Sequence, residues 1–257
     1  MKIAIVGDLH LADKEYADDV SYQSRHHYIN QHEYVRKQIN SLNENQPDHV
    51  ILLGDLIDWF SLENIDFALE VFSKLQSSWD MTIGNHDVQL PVSHRPEHNK
   101  GVTHKDADAT VNICRKKALA GWADRGICVQ TRKVELGQAS FYFLDSALGY
   151  ISEEDQLWLI ENIVNSSFNI IITHVPFPFE ETIKLLKENH KDCLVYSQQN
   201  LSDQFIEKVL SSVNFIFSGH VHFTANYKES DAAVHFIKNA NEPISDSKDN
   251  GIFYLEV

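Results

Sequence analysis

Cysteine is scarce in this sequence, and long hydrophobic runs are missing from it. The three cysteines among 257 residues, Cys114, Cys128 and Cys193, are an odd number without close spacing. A disulfide framework is therefore not expected, and a reducing cytoplasm is the expected location. No apolar run approaches the roughly 20 residues that cross a bilayer, and the first apolar run stops at Gly7, too early for a signal peptide. We expect no membrane partner.

Positive charge is also in short supply. The formal net charge is −15 with His neutral, which argues against a broad nucleic-acid surface because phosphate would be repelled. Residues 88–130 differ, since they carry seven Lys and Arg against four Asp and Glu, a net charge of +3. Pro91, Pro96 and Gly101 interrupt this segment. We interpret it as an insertion overhanging a functional site, with a solvated surface loop as the alternative.

The rest of the chain follows a strand–helix rhythm that predicts one α/β domain spanning residues 1–257. Apolar runs predict strands over 2–6, 49–53, 79–83, 133–136, 140–144, 169–173, 213–217, 223–227, 233–237 and 252–257. Helical spacing predicts helices over 24–45, 64–76, 108–120, 152–164, 180–189 and 202–212. In the helix over 152–164, Ser152 and Asp155 indicate an N-terminal cap, with Leu157, Ile160 and Val164 facing inward.

Five of these strands lead directly into polar residues suited to metal binding. The clusters are Asp8-Leu9-His10, Gly54-Asp55, Gly84-Asn85-His86-Asp87, Thr173-His174 and Gly219-His220-Val221-His222. Open α/β sheets hold their chemistry at the carboxyl ends of strands, and adjacent strands lie roughly 5 Å apart. Imidazoles and carboxylates are ligands for Zn, Mn and Fe. Each cluster alone is compatible with an ordinary polar loop, whereas the five together predict a dinuclear metal site.

Some of these residues allow a more specific expectation about how they would bind the ions. A carboxylate such as Asp55 has two oxygens and can bridge two ions, and Asn85 supplies a neutral oxygen. In His220-Val221-His222, extended backbone would put both rings on one side, while a turn could send them to different ions.

The order Asp-x-His, Gly-Asp-x-x-Asp, Gly-Asn-His-Asp, His and Gly-His-x-His resembles the calcineurin-like metallophosphoesterases, from Asp8 to His222. The resemblance implies an α/β (α+β layered) fold, with a two-sheet β-sandwich core flanked by helices. It implies one ion bound by Asp8, His10 and His222. It implies a second ion bound by Asn85, His174 and His220, with Asp55 bridging the two. His86 would then be the general acid or charge stabiliser, oriented by Asp87, with Asn85 assisting.

We therefore expect a metal-dependent phosphoester hydrolase with two divalent ions of Mn, Fe or Zn and a hydroxide bridging them. Residues 144–146 and 152–159 resemble the cyclic-nucleotide phosphodiesterase branch of that family, so a small, nucleotide-like phosphoester is the expected substrate. Arg95, Lys100 and Lys105 are candidates for contact with substrate phosphate. A nuclease of the same family and a non-catalytic scaffold are the alternatives. The sequence leaves the preference for diester or monoester and the oligomeric state open.

Overall fold

The computed structural model describes residues 1–13, 31–90, 109–164, 168–191, 194–241 and 250–257. The strands are β1 (Lys2–Val6), β2 (His49–Leu52), β3 (Ser78–Met81), β4 (Arg132–Leu136), β5 (Ala139–Phe143), β6 (Phe168–Thr173), β7 (Phe215–Ser218), β8 (Ala225–Glu229), β9 (Ala232–Phe236) and β10 (Ile252–Glu256). The helices are α1 (Gln31–Asn45), α2 (Leu62–Phe72), α3 (Ala109–Ala123), α4 (Glu153–Asn162), α5 (Glu180–Glu188) and α6 (Asp203–Ser212). A short 3₁₀ turn spans Leu194–Tyr196.

The strands form two mixed sheets. One sheet has four strands in the order β10-β1-β2-β3, and the other has six in the order β4-β5-β6-β7-β9-β8. The strands β1, β2 and β3 are parallel, and β5, β6, β7 and β9 are parallel in the second sheet. The carboxyl ends of neighbouring parallel strands therefore lie at a common edge within each sheet.

Alternation along the strands builds a layered core. In β1, Ile3 and Ile5 face the second sheet, while Ala4 and Val6 face the helices. The layer between the sheets is closed from the other side by residues such as Phe141 and Phe217. The outer face of the four-stranded sheet is covered by α1, α2 and α3. The outer face of the six-stranded sheet is covered by α4, α5 and α6. The expected two-sheet core flanked by helices is confirmed.

The segment expected to be an insertion divides into two parts. Residues 91–108 lie outside the described residues. Residues 109–123 form α3, whose Ala118 and Trp122 are fully buried against α2. Gly121 allows this contact, since a Cβ there would lie 2.9 Å from the Leu62 side chain. The described part of the segment therefore belongs to the packed core, and its position over a functional site stays a prediction.

The face that α4 buries differs from the one expected. Leu157 is 54% exposed and Val164 is 46% exposed, whereas Gln156 and Leu159 are buried. The helix ends at Asn162, before Val164. The expected inward position of Leu157 and Val164 is therefore wrong.

Two other expectations, on disulfides and on membrane-spanning segments, can be compared with the structure only for the described residues. Neither Cys114 nor Cys128 forms a disulfide, and Cys193 lies outside the described residues. Within the described ranges, no helix is both long enough and apolar enough to cross a bilayer. The cytoplasmic location stays a prediction.

Candidate metal centre

The five polar clusters meet at one end of the two sheets. They follow β1, β2 and β3 in the first sheet and β6 and β7 in the second. The backbone amides of Leu9 and His10 donate to the carbonyl of Asp55 at 3.0 and 2.8 Å, which ties the first two clusters together. Across the sheets, the His220 amide donates to Oδ2 of Asp8 at 2.9 Å. The fold thus joins side chains from five loops that are far apart in the chain.

Asp8, His10 and His222 form one group of facing ligand atoms. The Nε2 atoms of His10 and His222 lie 3.1 Å apart. Nε2 of His222 also lies 3.1 Å from Oδ2 of Asp8. Asp8 and His10 are fully buried, while the His222 side chain is 29% exposed. This group is open to solvent on the His222 side.

Asp55, His174 and His220 form a second group. Nε2 of His174 lies 3.3 Å from Oδ2 of Asp55 and 3.1 Å from Oδ1 of Asn85. The rings of His174 and His220 meet edge to face, with centroids 4.9 Å apart. The neutral oxygen of Asn85 thus lies beside the second group.

Asp55 connects the two groups. Its Oδ2 lies 3.3 Å from Nε2 of His174 and 3.9 Å from Nε2 of His10. Its Oδ1 accepts the backbone N–H of His86 at 2.8 Å. Gly84 permits this arrangement, because a Cβ there would lie 2.2 Å from Oδ1 of Asp55. The Asp55 carboxylate therefore lies between the two groups.

Hydrogen bonds on the far side of three imidazoles fix which nitrogen faces the cluster. Nδ1 of His174 donates to the carbonyl of Leu53 at 2.7 Å, so Nε2 is the nitrogen that faces the cluster. Nε2 of His220 donates to the carbonyl of Val195 at 2.9 Å, which leaves Nδ1 as the ligand atom. Nδ1 of His10 faces the Asp58 carboxylate at 3.1 Å. Such outer partners are what metal-bound histidines ordinarily have.

The backbone is strained at the same place. Asp55 and three of the histidines have positive φ, with values of 49° for His10, 50° for Asp55, 68° for His220 and 57° for His222. Residues with side chains adopt this left-handed conformation rarely, and it costs of order 1–3 kcal/mol for each. The positive φ values put His220-Val221-His222 in a turn, and its two rings enter different groups. Of the two geometries open from the sequence, the structure has the turn.

The electrostatics suit a cation at this position. Burial opposes ionisation of Asp55, but the nearby imidazoles of His174 and His86 outweigh it and hold the pKa of Asp55 well below its usual range. Burial lowers the pKa of His220 to about 3, and repulsion from His174 adds to this. For His174 burial is outweighed by attraction to Asp55, which raises the pKa to about 9. Ligation requires ionised carboxylates and neutral imidazoles, so cation binding at His174 displaces a proton.

His86 is held by Asp58, and the expectation that Asp87 orients it is wrong. Nδ1 of His86 donates to the carbonyl of Asp58 at 2.6 Å and lies 3.2 Å from its Oδ1. The Asp87 carboxylate instead accepts three backbone N–H groups, those of Gly84 and Asp55 at 2.8 Å and of Ile57 at 3.1 Å. Burial, with repulsion from Asp55, raises the pKa of Asp87 to about 7. Asp87 therefore fastens the loop after β3 to the loop after β2.

Asp58 and Ser146 were not predicted as site residues. Asp58 is the last residue of the Gly-Asp-x-x-Asp pattern, so the sequence did contain a signal for it. The Ser146 hydroxyl accepts the backbone N–H of His174 at 3.0 Å and of Val175 at 3.1 Å. Ser146 therefore holds the loop that carries His174. The three predicted substrate contacts, Arg95, Lys100 and Lys105, lie outside the described residues.

The comparisons with known proteins agree with this geometry. Residues 1–223 match the family model for calcineurin-like phosphoesterases, and the chain belongs to that family of phosphoric ester hydrolases. Its fold is similar to that of a dimetal phosphatase from Danio rerio, with 14% identity, a TM-score of 0.54, and coverage of 93% of this chain and 87% of that one. It is also similar to a phosphopantetheinyl hydrolase from Mycobacterium tuberculosis, with 9% identity, a TM-score of 0.52, and coverage of 80% and 85%. No curated protein sequence matches the chain.

Proposed function

We propose that this chain hydrolyses a small, nucleotide-like phosphoester at a centre of two divalent ions. The observation that carries the proposal is the shared carboxylate, whose Oδ2 lies 3.3 Å from His174 and 3.9 Å from His10. Packing of an ordinary protein core gives no reason to bury a carboxylate between two sets of imidazoles. It is the arrangement expected of a ligand common to two ions.

The donors present fit two such ions. Asp8, His10 and His222 would hold one, and Asn85, His174 and His220 would hold the other, with Asp55 shared. Imidazole and carboxylate donors without thiolate suit Mn, Fe or Zn. When bound, the two ions would act as Lewis acids toward the phosphoryl group and activate a water for attack on phosphorus. The hydrogen bonds that the imidazoles donate to the Leu53 and Val195 carbonyls and to the Asp58 carboxylate already orient the rings for ligation.

His86 and Asn85 supply the remaining chemistry. Because Nδ1 of His86 is engaged by Asp58, Nε2 is the ring nitrogen available to a substrate. The His86 side chain is 14% exposed, so part of it is open to a phosphoester from solvent. We assign to it the donation of a proton to the leaving oxygen, a role worth roughly a hundredfold to ten-thousandfold in rate. The Asn85 amide would stabilise charge on a phosphoryl oxygen.

A hydrolysis screen tests the proposal. The manganese-loaded protein is assayed against cyclic nucleotides, nucleotide phosphates, dinucleotides, oligonucleotides and bis(4-nitrophenyl) phosphate, beside Asp55→Asn and the control Asp231→Asn. Asp231 is a fully solvated carboxylate, with its side chain 94% exposed. We expect turnover of a small ester that Asp55→Asn abolishes and Asp231→Asn retains.

Two other outcomes would redirect the assignment. Preference for oligonucleotides with a steep fall in activity as salt increases would indicate a nuclease, because salt weakens phosphate-backbone contacts. Absence of turnover with every substrate, in protein that carries two ions, would indicate a scaffold.

A further inference from the structure

A second cavity lies beside the candidate metal centre. Its volume is about 450 Å³, and it is an open cavity lined by α3, the residues before β4, the loop after β5 and the start of α4. Small-molecule sites commonly occupy about 300–1,000 Å³. Among the described residues that line it, none is a predicted metal ligand. The cavity is therefore a separate space that needs its own explanation.

One loop joins this cavity to the metal centre. Asp145 lines the cavity, and the hydroxyl of the next residue, Ser146, accepts the backbone N–H of His174 at 3.0 Å. Further along the same loop, the carbonyl of Gly149 accepts the N–H of Gln199 at 3.0 Å. Two adjacent residues of this loop, Asp145 and Ser146, therefore contact the cavity and the residue that carries the His174 imidazole.

The charges of the cavity exclude a second phosphate. Arg115 is its only cation among the described residues, and it already forms an ion pair with Asp145. Glu154 and Asp155 add further negative charge to the same wall. An anionic group would be repelled there, so the occupant must be neutral or cationic at this end.

The walls favour a flat ring with polar edges. Trp158 and Leu119 present apolar surface from α4 and α3, and both are only partly buried in the protein. The Gln130 amide supplies a donor and an acceptor, and the Asp145 carboxylate supplies acceptors. A nucleobase satisfies all of these conditions, since its faces stack on aromatic rings and its edge carries both donors and acceptors.

We propose that the cavity lined by Arg115, Asp145 and Trp158 binds the nucleobase of the substrate while the phosphoester lies at the metal centre. The proposal rests on the proposed hydrolase function. It identifies the site for the part of the substrate that does not contact the metal centre. It assigns specificity for nucleosides to Trp158, as the stacking surface, and to the Arg115–Asp145 pair, as the polar edge.

A pair of chromogenic substrates tests this directly. The 4-nitrophenyl ester of adenosine 5′-monophosphate contains a base, and ethyl 4-nitrophenyl phosphate does not. Trp158→Leu and Arg115→Gln are compared with Trp79→Leu and Arg125→Gln. These controls match in kind, because Trp79 is a half-buried Trp against Phe72, and Arg125 is paired with Asp66. Both controls lie outside the cavity lining.

The ratio of kcat/KM for the two esters is the readout. We expect the wild type to prefer the adenosine ester and Trp158→Leu to reduce that preference about tenfold, with turnover of the ethyl ester kept. Arg115→Gln should reduce the preference in the same direction, and both controls should leave it unchanged. A variant that merely damages the fold would lower both rates and leave their ratio intact.

Failure of this proposal can be told from failure of the proposed function. A wild type that cleaves both esters equally, or cavity variants that keep the wild-type ratio, would overturn the cavity proposal and leave hydrolysis standing. A wild type that cleaves neither of these diesters, and no nucleotide monoester in the hydrolysis screen, would count against hydrolysis. In that case equilibrium dialysis with adenosine decides for the cavity: binding weakened by Trp158→Leu and not by Trp79→Leu supports it, and absence of binding overturns it.

Discussion

Oδ1 of Asp58 lies 3.2 Å from Nδ1 of His86. The same oxygen lies 3.1 Å from Nδ1 of His10. One buried carboxylate thus contacts a proposed metal ligand and the proposed proton donor. Burial opposes its ionisation, but hydrogen bonds from the two histidines hold the pKa of Asp58 well below its usual range. Asp58 remains a carboxylate and can orient both rings at once.

The first prediction concerns His86. Replacement His86→Ala should remove the proton donor and reduce kcat by roughly a hundredfold to ten-thousandfold. Both ions should be retained, because the backbone amide of His86, which donates to the Asp55 carboxylate, is unchanged by the replacement. Metal content by mass spectrometry and kcat on the best substrate check this. Intact turnover in the metal-loaded variant would remove His86 from the mechanism.

The second prediction is that Asp58 acts through His86. Asp58→Asn keeps the shape of the side chain and removes its charge, so kcat should fall with little change in KM. In a His86→Ala background the same replacement should cost little more, because residues that act as a unit are not additive. Asp231→Asn is the solvated control. A full additional loss in the double variant would show that Asp58 acts through His10 and metal binding.

The third prediction distinguishes the role of Asp87 from that of its neighbour His86. Asn in place of Asp87 has one acceptor oxygen, which can accept from Gly84 and Asp55, but its NH2 group then faces the Ile57 N–H donor. Leaving buried donors unsatisfied costs about 1–3 kcal/mol. Asp87→Asn should therefore lower the free energy of unfolding in urea and weaken metal binding, whereas His86→Ala should do neither. Equal unfolding midpoints for the two variants would contradict this assignment.

The fourth prediction concerns the ions themselves. A ligand that binds only the folded state adds stability, about 2.7 kcal/mol at a hundred times its Kd. Manganese should therefore raise Tm of the wild-type protein, and chelation should reverse the increase. Asp55→Asn should remove most of the increase, because it replaces the ligand common to both groups. Calorimetry with and without manganese measures this, and an unchanged increase in Asp55→Asn would exclude Asp55 as a ligand.

The helices and strands were predictable from the sequence, but the buried face of α4 was not. The start of α4 is as expected, with the Asp155 amide donating to the Ser152 hydroxyl at 3.0 Å. Its buried face was wrong because Gln156 is buried in place of Leu157. The Gln156 amide donates to Ile151 at 2.9 Å and accepts from Ser202 at 2.9 Å. Hydrophobic spacing cannot reveal a buried polar side chain whose partners are backbone groups of the flanking loops.

The candidate metal centre was likewise predictable only in part. Residue type and position after a strand were enough to bring Asp8, Asp55 and His174 to one cluster. The roles of Asp58 and Asp87 were not predictable, because adjacency in sequence does not fix where a side chain points. Asp87 follows His86 in the chain, yet its carboxylate contacts the backbone of the loop after β2.

The last prediction concerns a polar cluster that joins the edges of the two sheets. The Asp80 carboxylate on β3 accepts from Arg132 on β4 at 2.7 Å and lies 3.0 Å from Nε2 of His49. Burial opposes ionisation of Asp80, but these two partners outweigh it and hold its pKa below the ordinary value of 3.8. Because the pKa is lower in the folded state than in the unfolded state, ionised Asp80 stabilises the fold above the ordinary pKa. This contribution is lost as the pH falls through the lowered value.

Asp80→Asn should therefore reduce the free energy of unfolding near neutral pH by about 1.5–3 kcal/mol. The difference between variant and wild type should shrink as the pH falls below 3.8, and it should vanish below the lowered folded-state pKa, where the carboxylate is protonated in both states. Asp66→Asn is the matched control, since Asp66 also pairs with an arginine but its side chain is 62% exposed. That exposed pair should contribute at most about 1 kcal/mol. Urea unfolding across the acid range measures both variants, and a pH-independent difference for Asp80→Asn would mean that packing and not charge joins the sheets there.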